Sequence, residues 1–268
     1  MGLPFFLVDA FTDRPFGGNP AVVCPLARWP DDRWLQDLAA EMKQSETAYL
    51  VQEADRFQLR WFTPKVEVDL CGHATLASAH VLWQQGLAQP EDEIQFSTRS
   101  GLLKAARQQG EIELDFPLKP EQQADPPPDL LPALGVSAKY VGRNQFDYLV
   151  EVESEAELRQ MAPDFKRLAT VPVRGTIVTS RSADARFDFV SRFFAPAAGI
   201  DEDPVTGSAH CCLGDFWHKR LGKSELLAYQ ASPRGGVVRV RVAEDRAFLG
   251  GKAVTVAAGE LTDEGARA

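Results

Sequence analysis

An internal repeat constrains the possible folds of this chain more than any other feature of its sequence. The repeated segments occur in the same order in both copies: Arg60-Trp61-Phe62-Thr63-Pro64 resembles Arg192-Phe193-Phe194-Ala195-Pro196, Cys71-Gly72-His73-Ala74 resembles Thr206-Gly207-Ser208-Ala209, and residues 97–102 resemble residues 232–237. The first pair is offset by 192 − 60 = 132 residues and the other two by 207 − 72 = 234 − 99 = 135. Three ordered matches indicate a duplication, so we expect two similar halves.

A proline-rich stretch separates the two copies. Pro117-Leu118-Lys119-Pro120 is followed by Pro126-Pro127-Pro128, and such a segment continues neither a helix nor a central strand. We therefore predict a stiff linker here, with an N-terminal half over residues 1–117 and a C-terminal half over residues 118–268. The boundary is approximate, and the sequence leaves open that the chain end crosses back to the first half.

Both halves show the same coarse order of elements. Strands lead to the Arg-aromatic segment, a loop follows, and then comes a helix, predicted over 74–85 in the first half and 208–219 in the second. Both helices are apolar on most sides, which is typical of buried helices. Alternating apolar residues predict strands over 102–116 and 237–249, and an amphipathic helix is predicted over 30–42. We see no βαβ rhythm and predict an α+β fold of two similar, pseudo-symmetric halves, each a curved, mostly antiparallel sheet around a central helix.

Composition and charge exclude several classes of partner. The 268-residue chain carries a formal net charge of -9, whereas nucleic acids and acidic membranes require a basic surface. No apolar stretch reaches the ~18–20 residues of a membrane span. Asp9 and Asp13 interrupt the apolar N-terminus, which we interpret as a strand rather than a signal peptide. We expect a cytoplasmic protein that binds neither nucleic acid nor membrane.

The four cysteines do not have the spacing of a zinc site. Free thiols are the default in a cytosolic protein, and free cysteine is commonly buried. We therefore expect no metal, and buried packing roles for Cys24, Cys211 and Cys212.

The two helix starts are the first candidate for a binding site. A helix N-terminus has unpaired N–H groups and a partial positive charge. Gly72 and Gly207 allow a ligand to approach the backbone closely, and His73 and Ser208 add side-chain donors. Taken singly, each motif is better explained as a helix cap. As a repeat-related pair, they favour a carboxylate pocket in a cleft between the halves, formed without a cluster of basic residues.

Acidic residues near these helices are candidates for proton transfer. Asp201, Glu202 and Asp203 precede the second helix, and we expect the first two only to satisfy its dipole. Glu46 begins an apolar strand and, by alternation, shares a face with Ala48 and Leu50. A carboxylate on an apolar face is costly without a function or a partner. An exposed residue at the start of a strand is the alternative.

Several motifs extend this interpretation. They are Val8-Asp9-Ala10-Phe11-Thr12, Phe16-Gly17-Gly18-Asn19-Pro20-Ala21-Val22-Val23, Gln44-Ser45-Glu46-Thr47-Ala48, Cys71-Gly72-His73-Ala74-Thr75 and Glu202-Asp203-Pro204-Val205-Thr206-Gly207-Ser208-Ala209. Together they cover residues 8 to about 210 and resemble those of the phenazine-biosynthesis PhzF-like isomerase family, whose fold is that of diaminopimelate epimerase. The resemblance implies a homodimer and no cofactor.

The resemblance also assigns roles to individual residues. It implies that Glu46 shuttles the proton and that His73 and Asp203 assist catalysis. It further implies that the substrate is bound by a set of polar groups: Gly72, His73, Gly207, Ser208 and, at the side of the cleft, Asn19.

The chain departs from the cysteine-dependent epimerases of the same fold. Cys71 stands where their first cysteine stands, and we take Pro204, which is neither acid nor base, as its counterpart in the second half. This excludes a two-thiol racemase but leaves a mixed pair of Glu46 and Cys71 possible. We expect burial near Asp203 to raise the pKa of Glu46.

These observations together predict a cofactor-independent isomerase that moves a proton on a small carboxylate-bearing metabolite. Two alternatives remain: an amino-acid epimerase or racemase that uses Glu46 and Cys71, and a non-catalytic protein that binds a small molecule.

Overall fold

The computed structural model describes residues 2–262, and these group into two compact units. Unit 1 consists of the chain up to Asp115 together with the segment from Gly250 onward, and unit 2 runs from Phe116 to Leu249. That these units are the two independent halves expected from the sequence stays a prediction.

The helices lie between groups of strands along the chain. The strands are β1 (Leu3–Ala10), β2 (Asn19–Leu26), β3 (Glu46–Glu53), β4 (Arg56–Phe62), β5 (Glu67–Val68), β6 (Ile94–Thr98), β7 (Gly101–Gln108), β8 (Glu111–Pro117), β9 (Gln122–Gln123), β10 (Tyr140–Arg143), β11 (Asp147–Glu151), β12 (Gly175–Arg181), β13 (Phe189–Phe194), β14 (Glu225–Gln230), β15 (Gly236–Ala243), β16 (Arg246–Gly251) and β17 (Ala253–Leu261). The α-helices are α1 (Asp32–Met42), α2 (Gly72–Gln84), α3 (Leu130–Leu134), α4 (Glu155–Gln160), α5 (Phe165–Leu168) and α6 (Gly207–Leu221).

The sheet of unit 1 is mostly antiparallel. Strand β1 pairs with both β2 and β17, and β3–β4, β4–β5, β6–β7 and β7–β8 are further antiparallel pairs. Two pairs, β2–β3 and β4–β6, are parallel. The chain connects the first through α1 and the second through α2.

Unit 2 repeats this arrangement. The pairs β9–β10, β10–β11, β12–β13 and β14–β15 are antiparallel, and β11–β12 and β13–β14 are parallel. Here α4 and α5 connect one parallel pair and α6 the other. The expectation that the chain contains no βαβ rhythm is therefore wrong. Helices α4 and α5 have only 6 and 4 residues, too few to produce a helical period in the sequence.

The two predicted central helices are buried, as their apolar composition indicates. In α2 every residue from His73 to Ala79 is buried, and in α6 every residue from Ala209 to Trp217. Helix α6 ends where Gly222 adopts a left-handed conformation with φ 65, which glycine adopts without strain. Because the surrounding core holds both helices in place, the positions of their first residues are fixed.

Two segments differ from their predicted form. The proline-rich stretch is not merely a linker. Strand β9 lies within it and pairs with β10, and α3 begins at Leu130, two residues after Pro128. The long alternating segments each divide into two strands, with turns at Gln109-Gly110 and at Glu244-Asp245. No helix among the described residues is long and apolar enough to cross a membrane.

Candidate active site

Each central helix is preceded by an ion pair, and the pair occurs at corresponding positions in both copies of the repeat. In unit 1, Arg60 binds Glu67 through two hydrogen bonds of 2.7 and 2.8 Å, and in unit 2, Arg192 binds Glu202 through bonds of the same lengths. The two acids are 202 − 67 = 135 residues apart, the offset of the helix starts. Because each pair ties a strand to the segment that leads into a helix, it fixes where that helix begins. Glu202 therefore does more than satisfy a helix dipole, contrary to expectation.

The two helix starts have the same local form. Cys71 is the N-cap residue of α2 and Thr206 is that of α6; both are extended, and neither side chain caps its helix. The cap alternative therefore loses its support, because the N-terminal N–H groups are not satisfied by these side chains. Within the repeat, the position of Cys71 corresponds to that of Thr206, since 206 − 71 = 135. That Pro204 stands in place of the second cysteine of the epimerases stays a prediction.

Glu46 lies at the first position of β3, in register with Ala21 of the parallel strand β2. Its side chain is 12% exposed, and Oε2 lies 3.1 Å from His73 Nε2. The contact is close but misaligned, so the buried Oε2 has no directed hydrogen-bond donor. Glu46 is therefore not an exposed residue at the start of a strand; both faces of β3 are buried from Thr47 to Leu50.

His73 is held on several sides. Asn19 Nδ2 lies 3.1 Å from His73 Nδ1, and the Ser45 hydroxyl lies 3.3 Å from Nε2. Cys71 Sγ approaches Nδ1 at 3.5 Å. Asn19 is itself buried and opens β2, after Gly18 at φ +60, where an added Cβ would lie 2.0 Å from the Ala10 carbonyl oxygen. Unit 1 thus brings together three predicted site residues, Asn19, Glu46 and His73.

Electrostatics at this cluster differs from expectation. Burial alone would raise the pKa of Glu46, but the positive charge of His73 and the polar side chains of His73, Ser45 and Cys71 close to the carboxylate outweigh it and hold the pKa below its ordinary value. The expected rise is therefore wrong. Burial alone would lower the pKa of His73, but Cys71 and Glu46 raise it well above its ordinary value. The contacts favour a glutamate carboxylate beside an imidazolium.

The Cys71 thiol belongs to the same cluster. Burial, reinforced by the negative charge of Glu46, raises its pKa to about 11, although His73 opposes the shift. A thiol with this pKa is protonated at neutral pH and is a poor base.

In unit 2, Asp203 belongs to a closed network in the loop before α6. Its carboxylate Oδ2 accepts a short hydrogen bond from the Thr206 hydroxyl. Gln230, fully buried at the end of β14, donates to the Asp203 carbonyl oxygen at 2.7 Å and accepts from the Thr206 backbone N–H at 2.9 Å. Gln230 therefore sets the shape of the loop that carries Asp203.

Ser208 is joined to a cation that the sequence analysis missed. Arg174 Nη2 donates to Ser208 Oγ at 3.1 Å, and Arg174 also binds the buried carboxylate of Asp147 through bonds of 2.9 and 2.5 Å. Burial raises the pKa of Asp147 although Arg174 opposes the shift. The sequence analysis expected a carboxylate pocket without a cluster of basic residues. The structure adds one basic group, the Arg174 guanidinium, beside the start of α6. An arginine just before a strand and a glutamine at the end of one carry no distinctive sequence signal.

Comparison with known proteins agrees with this fold. The sequence model of the PhzC-PhzF family, described as phenazine biosynthesis-like protein, matches residues 8–259. An uncharacterized isomerase of Halalkalibacterium halodurans is 53% identical over 262 residues, covering 97% of this chain and 99% of the relative.

Solved structures support the same assignment. A PhzF-family crystal structure from Enterococcus faecalis superposes with a TM-score of 0.93 at 40% identity and covers 97% of this chain and 99% of that chain. A probable proline racemase from Agrobacterium radiobacter shares 14% identity with a TM-score of 0.63, covering 98% of this chain and 95% of that chain. This likeness shows only a common fold. The predicted fold class is confirmed.

Proposed function

The chain belongs to the phenazine biosynthesis-like protein family and is an isomerase of that family, and we propose that it moves a proton within a small carboxylate-bearing metabolite without a cofactor. The observation that carries this proposal is the buried Glu46 carboxylate facing His73 Nε2 at 3.1 Å beside the uncapped start of α2. The lowered pKa keeps Glu46 ionised, and its Oε2 has no aligned hydrogen-bond donor, so a lone pair is available to accept a substrate proton.

The proposed reaction divides the work between these two residues. The Glu46 carboxylate removes a proton from a carbon next to an unsaturated or carboxyl-bearing group, and then returns it to another carbon of the same molecule. His73, positively charged, stabilises the negative charge that develops on the substrate meanwhile. The Gly72 backbone N–H, at the start of α2, contributes a further donor to the substrate.

The α6 start supplies the second set of proposed contacts. Gly207 and Ser208 bind the substrate carboxylate, and Asp203 orients the substrate, as the family resemblance implies. Because Ser208 Oγ accepts a hydrogen bond from Arg174, its own proton is available to an anionic ligand. That the two helix starts face one cleft stays a prediction. A crystal grown with a small dicarboxylate tests it, and a ligand that contacts only one helix start would contradict it.

Geometry disfavours the alternative of an epimerase that uses Glu46 and Cys71. A two-base epimerase holds the reacting carbon between acid and base, each roughly 3–3.5 Å away, so the two groups stand about 6–7 Å apart. The ligand atoms of Glu46, Cys71 and His73 all lie within 4.8 Å of one another. The raised pKa of Cys71 opposes one direction of such a reaction as well.

The decisive experiment requires a substrate and one variant. A thermal-shift screen of small carboxylates identifies ligands, since a ligand at 100 times its Kd adds about 2.7 kcal/mol of stability. Turnover of those ligands is then followed by NMR in D₂O. Glu46→Gln preserves size but cannot accept a proton, so we expect the rate to fall by about 10²–10⁴-fold while ligand binding persists.

Glu53→Gln is the matched control, because Glu53 ends the same strand but is exposed. It should retain the wild-type rate. A Glu46→Gln enzyme with near-normal turnover would assign the chemistry to another residue. Ligands that bind the wild type but are never converted would favour the non-catalytic binding protein.

The homodimer and the cytoplasmic location belong to this proposal as well. The homodimer rests on the family resemblance. Light scattering should give twice the 29.5 kDa chain mass; a mass of one chain would contradict the dimer.

A further inference from the structure

Three different metal-binding side chains converge in unit 1. Glu46 comes from the start of β3, Cys71 is the N-cap residue of α2, and His73 is the second residue of α2. One ligand atom from each, a carboxylate oxygen, a thiol sulfur and an imidazole nitrogen, lies within 4.8 Å of the other two. Nitrogen and sulfur donors with a carboxylate suit Zn²⁺ better than the hard cations that prefer all-oxygen sites.

The spacing of these atoms is close to that of a tetrahedral zinc site. Zn–S and Zn–N bonds of ~2.3 and ~2.0 Å place sulfur and nitrogen roughly 3.5 Å apart, and nitrogen and oxygen roughly 3.3 Å apart. Here Cys71 Sγ lies 3.9 Å from His73 Nε2, and Glu46 Oε2 lies 3.1 Å from the same nitrogen. The third distance, from Cys71 Sγ to the Glu46 carboxylate, is at most 4.8 Å.

Two further contacts prepare the cluster for a ligand. Glu46 Oε2 is buried without an aligned donor, so one acceptor of the set is unsatisfied. Asn19 Nδ2 lies 3.1 Å from His73 Nδ1, and His73 Nε2 is turned to Glu46. Coordination of a cation through Nε2 requires the proton on Nδ1, so the Asn19 amide turns over on binding and accepts from Nδ1–H through its oxygen, as the outer partners of metal-binding histidines do.

We propose that Glu46, Cys71 and His73 form a site for a thiophilic divalent cation, Zn²⁺ among the physiological ions, and that the bound cation blocks the proton shuttle. Binding converts the Cys71 thiol to a thiolate and releases its proton, together with any proton on His73 Nε2, to solvent. No oxidation or reduction occurs. Carboxylate and thiolate balance the two positive charges, and three protein ligands leave one tetrahedral position for water.

The inhibition rests on the proposed function, whereas the binding does not. A Glu46 oxygen that coordinates a cation has no free lone pair in the position from which it would accept a substrate proton. Zinc should therefore stop turnover, and a chelator should restore it.

The binding test needs no substrate. Wild-type protein freed of metal with a chelator is titrated with ZnCl₂ against a chromophoric competitor, and separately with CoCl₂ in the spectrophotometer. We expect one ion per chain and a thiolate-to-cobalt charge-transfer band. Cys71→Ser should abolish the band and weaken zinc at least about tenfold, since loss of even an outer-shell partner costs roughly 10–100-fold. Glu46→Gln removes a second ligand independently and should also weaken zinc.

Cys24→Ser is the matched control, because Cys24 is a buried free thiol of the same unit outside the cluster. It should bind zinc and cobalt as the wild type does. Circular dichroism establishes that each variant is folded, and Glu46→Gln decides the question should Cys71→Ser unfold.

Two results would overturn the site: fewer than one ion per chain bound by the wild type, or unchanged affinity in both ligand variants. Neither bears on proton transfer, which is judged from the turnover of metal-free wild type. Metal-free enzyme that is inactive until zinc is added would overturn the inhibitory role.

Discussion

At the scale of single residues, the two N-cap positions show how the chemistry of this chain differs from a two-thiol enzyme. Cys71 and Thr206 occupy corresponding places before the central helices. The Thr206 hydroxyl is bound to Asp203 and lies 3.2 Å from Gln230, and Cys71 lies beside the ion pair of Glu46 and His73. The proposed acid–base chemistry therefore rests on the glutamate.

The first prediction concerns Cys71. Because its thiol is protonated at neutral pH, Cys71→Ser should reduce turnover in metal-free buffer by less than about 10²-fold, the lower limit for loss of a general base. The measurement is the rate on a substrate found by the ligand screen, beside Glu46→Gln under the same conditions. Equal losses in the two variants would restore Cys71 to the reaction.

Arg174 provides the second prediction. Arg174→Met leaves the Asp147 carboxylate, which is 1% exposed, without its partner. The free energy of unfolding should fall by about 1–3 kcal/mol, toward the lower end because Arg174 is partly exposed. Urea denaturation measures the change.

The double variant Arg174→Met/Asp147→Leu is the control for this pair. It removes both charges and should recover part of the loss. If the double variant loses more free energy of unfolding than the two single variants together, the ion pair is not the cause of the loss in Arg174→Met.

At the scale of elements, the fit of α6 against β15 depends on one residue without a side chain. A Cβ added at Gly214 would lie 2.7 Å from Val240 Cγ1 and 3.3 Å from Val242 Cγ2. The helix therefore approaches the sheet at a distance that only glycine permits, and this approach helps to hold the helix whose first residues are Gly207 and Ser208.

The third prediction follows from this contact. Gly214→Ala would gain up to about 1 kcal/mol of helix propensity, but the overpacked Cβ should cost about 1–3 kcal/mol. The net effect is a lower free energy of unfolding, measured by urea denaturation. Val240→Ala in the same chain should relieve the clash, so the double variant should lose less stability than the sum of the two single losses. A loss equal to or greater than that sum would contradict this explanation.

At the scale of the whole molecule, stability against acid depends on a buried histidine. His210 is fully buried on α6; its Nδ1 lies 2.8 Å from the Thr206 carbonyl oxygen, and its Nε2 has no hydrogen-bond partner. Burial lowers its pKa to about 4, although the Thr206 carbonyl opposes the shift. The ring packs near Phe189, with centroids 6.1 Å apart. The folded protein therefore contains His210 in its neutral form.

The fourth prediction is a loss of stability in acid. Because the folded pKa lies below the unfolded value of ~6.5, the unfolded chain binds the proton first as the pH falls. The contribution of His210 is fully present above pH ~6.5 and decreases by about 3 kcal/mol down to pH 4. The measurement is the free energy of unfolding across this range for wild type and His210→Gln. A constant difference between the two proteins would contradict it.

The sequence by itself determined the features that repeat or have a period. The offset of 135 residues identified both helix starts, helical periodicity and apolar composition predicted α2 and α6 as buried helices, and the apolar run after Glu46 predicted a buried strand. These succeed because local patterns of polarity are imposed by burial itself, so they can be recognised without knowing which elements pack together.

Only the tertiary structure decided the electrostatics and the partners. Ser45 and Asn19 reach His73 from 28 and 54 residues away, Arg174 reaches Ser208 across 34, and Gln230 reaches Thr206 across 24. Cysteine spacing likewise gave no hint that Cys71 and His73 meet Glu46. The sign of a pKa shift depends on which charges share a buried volume, and this depends on distances that residue order does not encode.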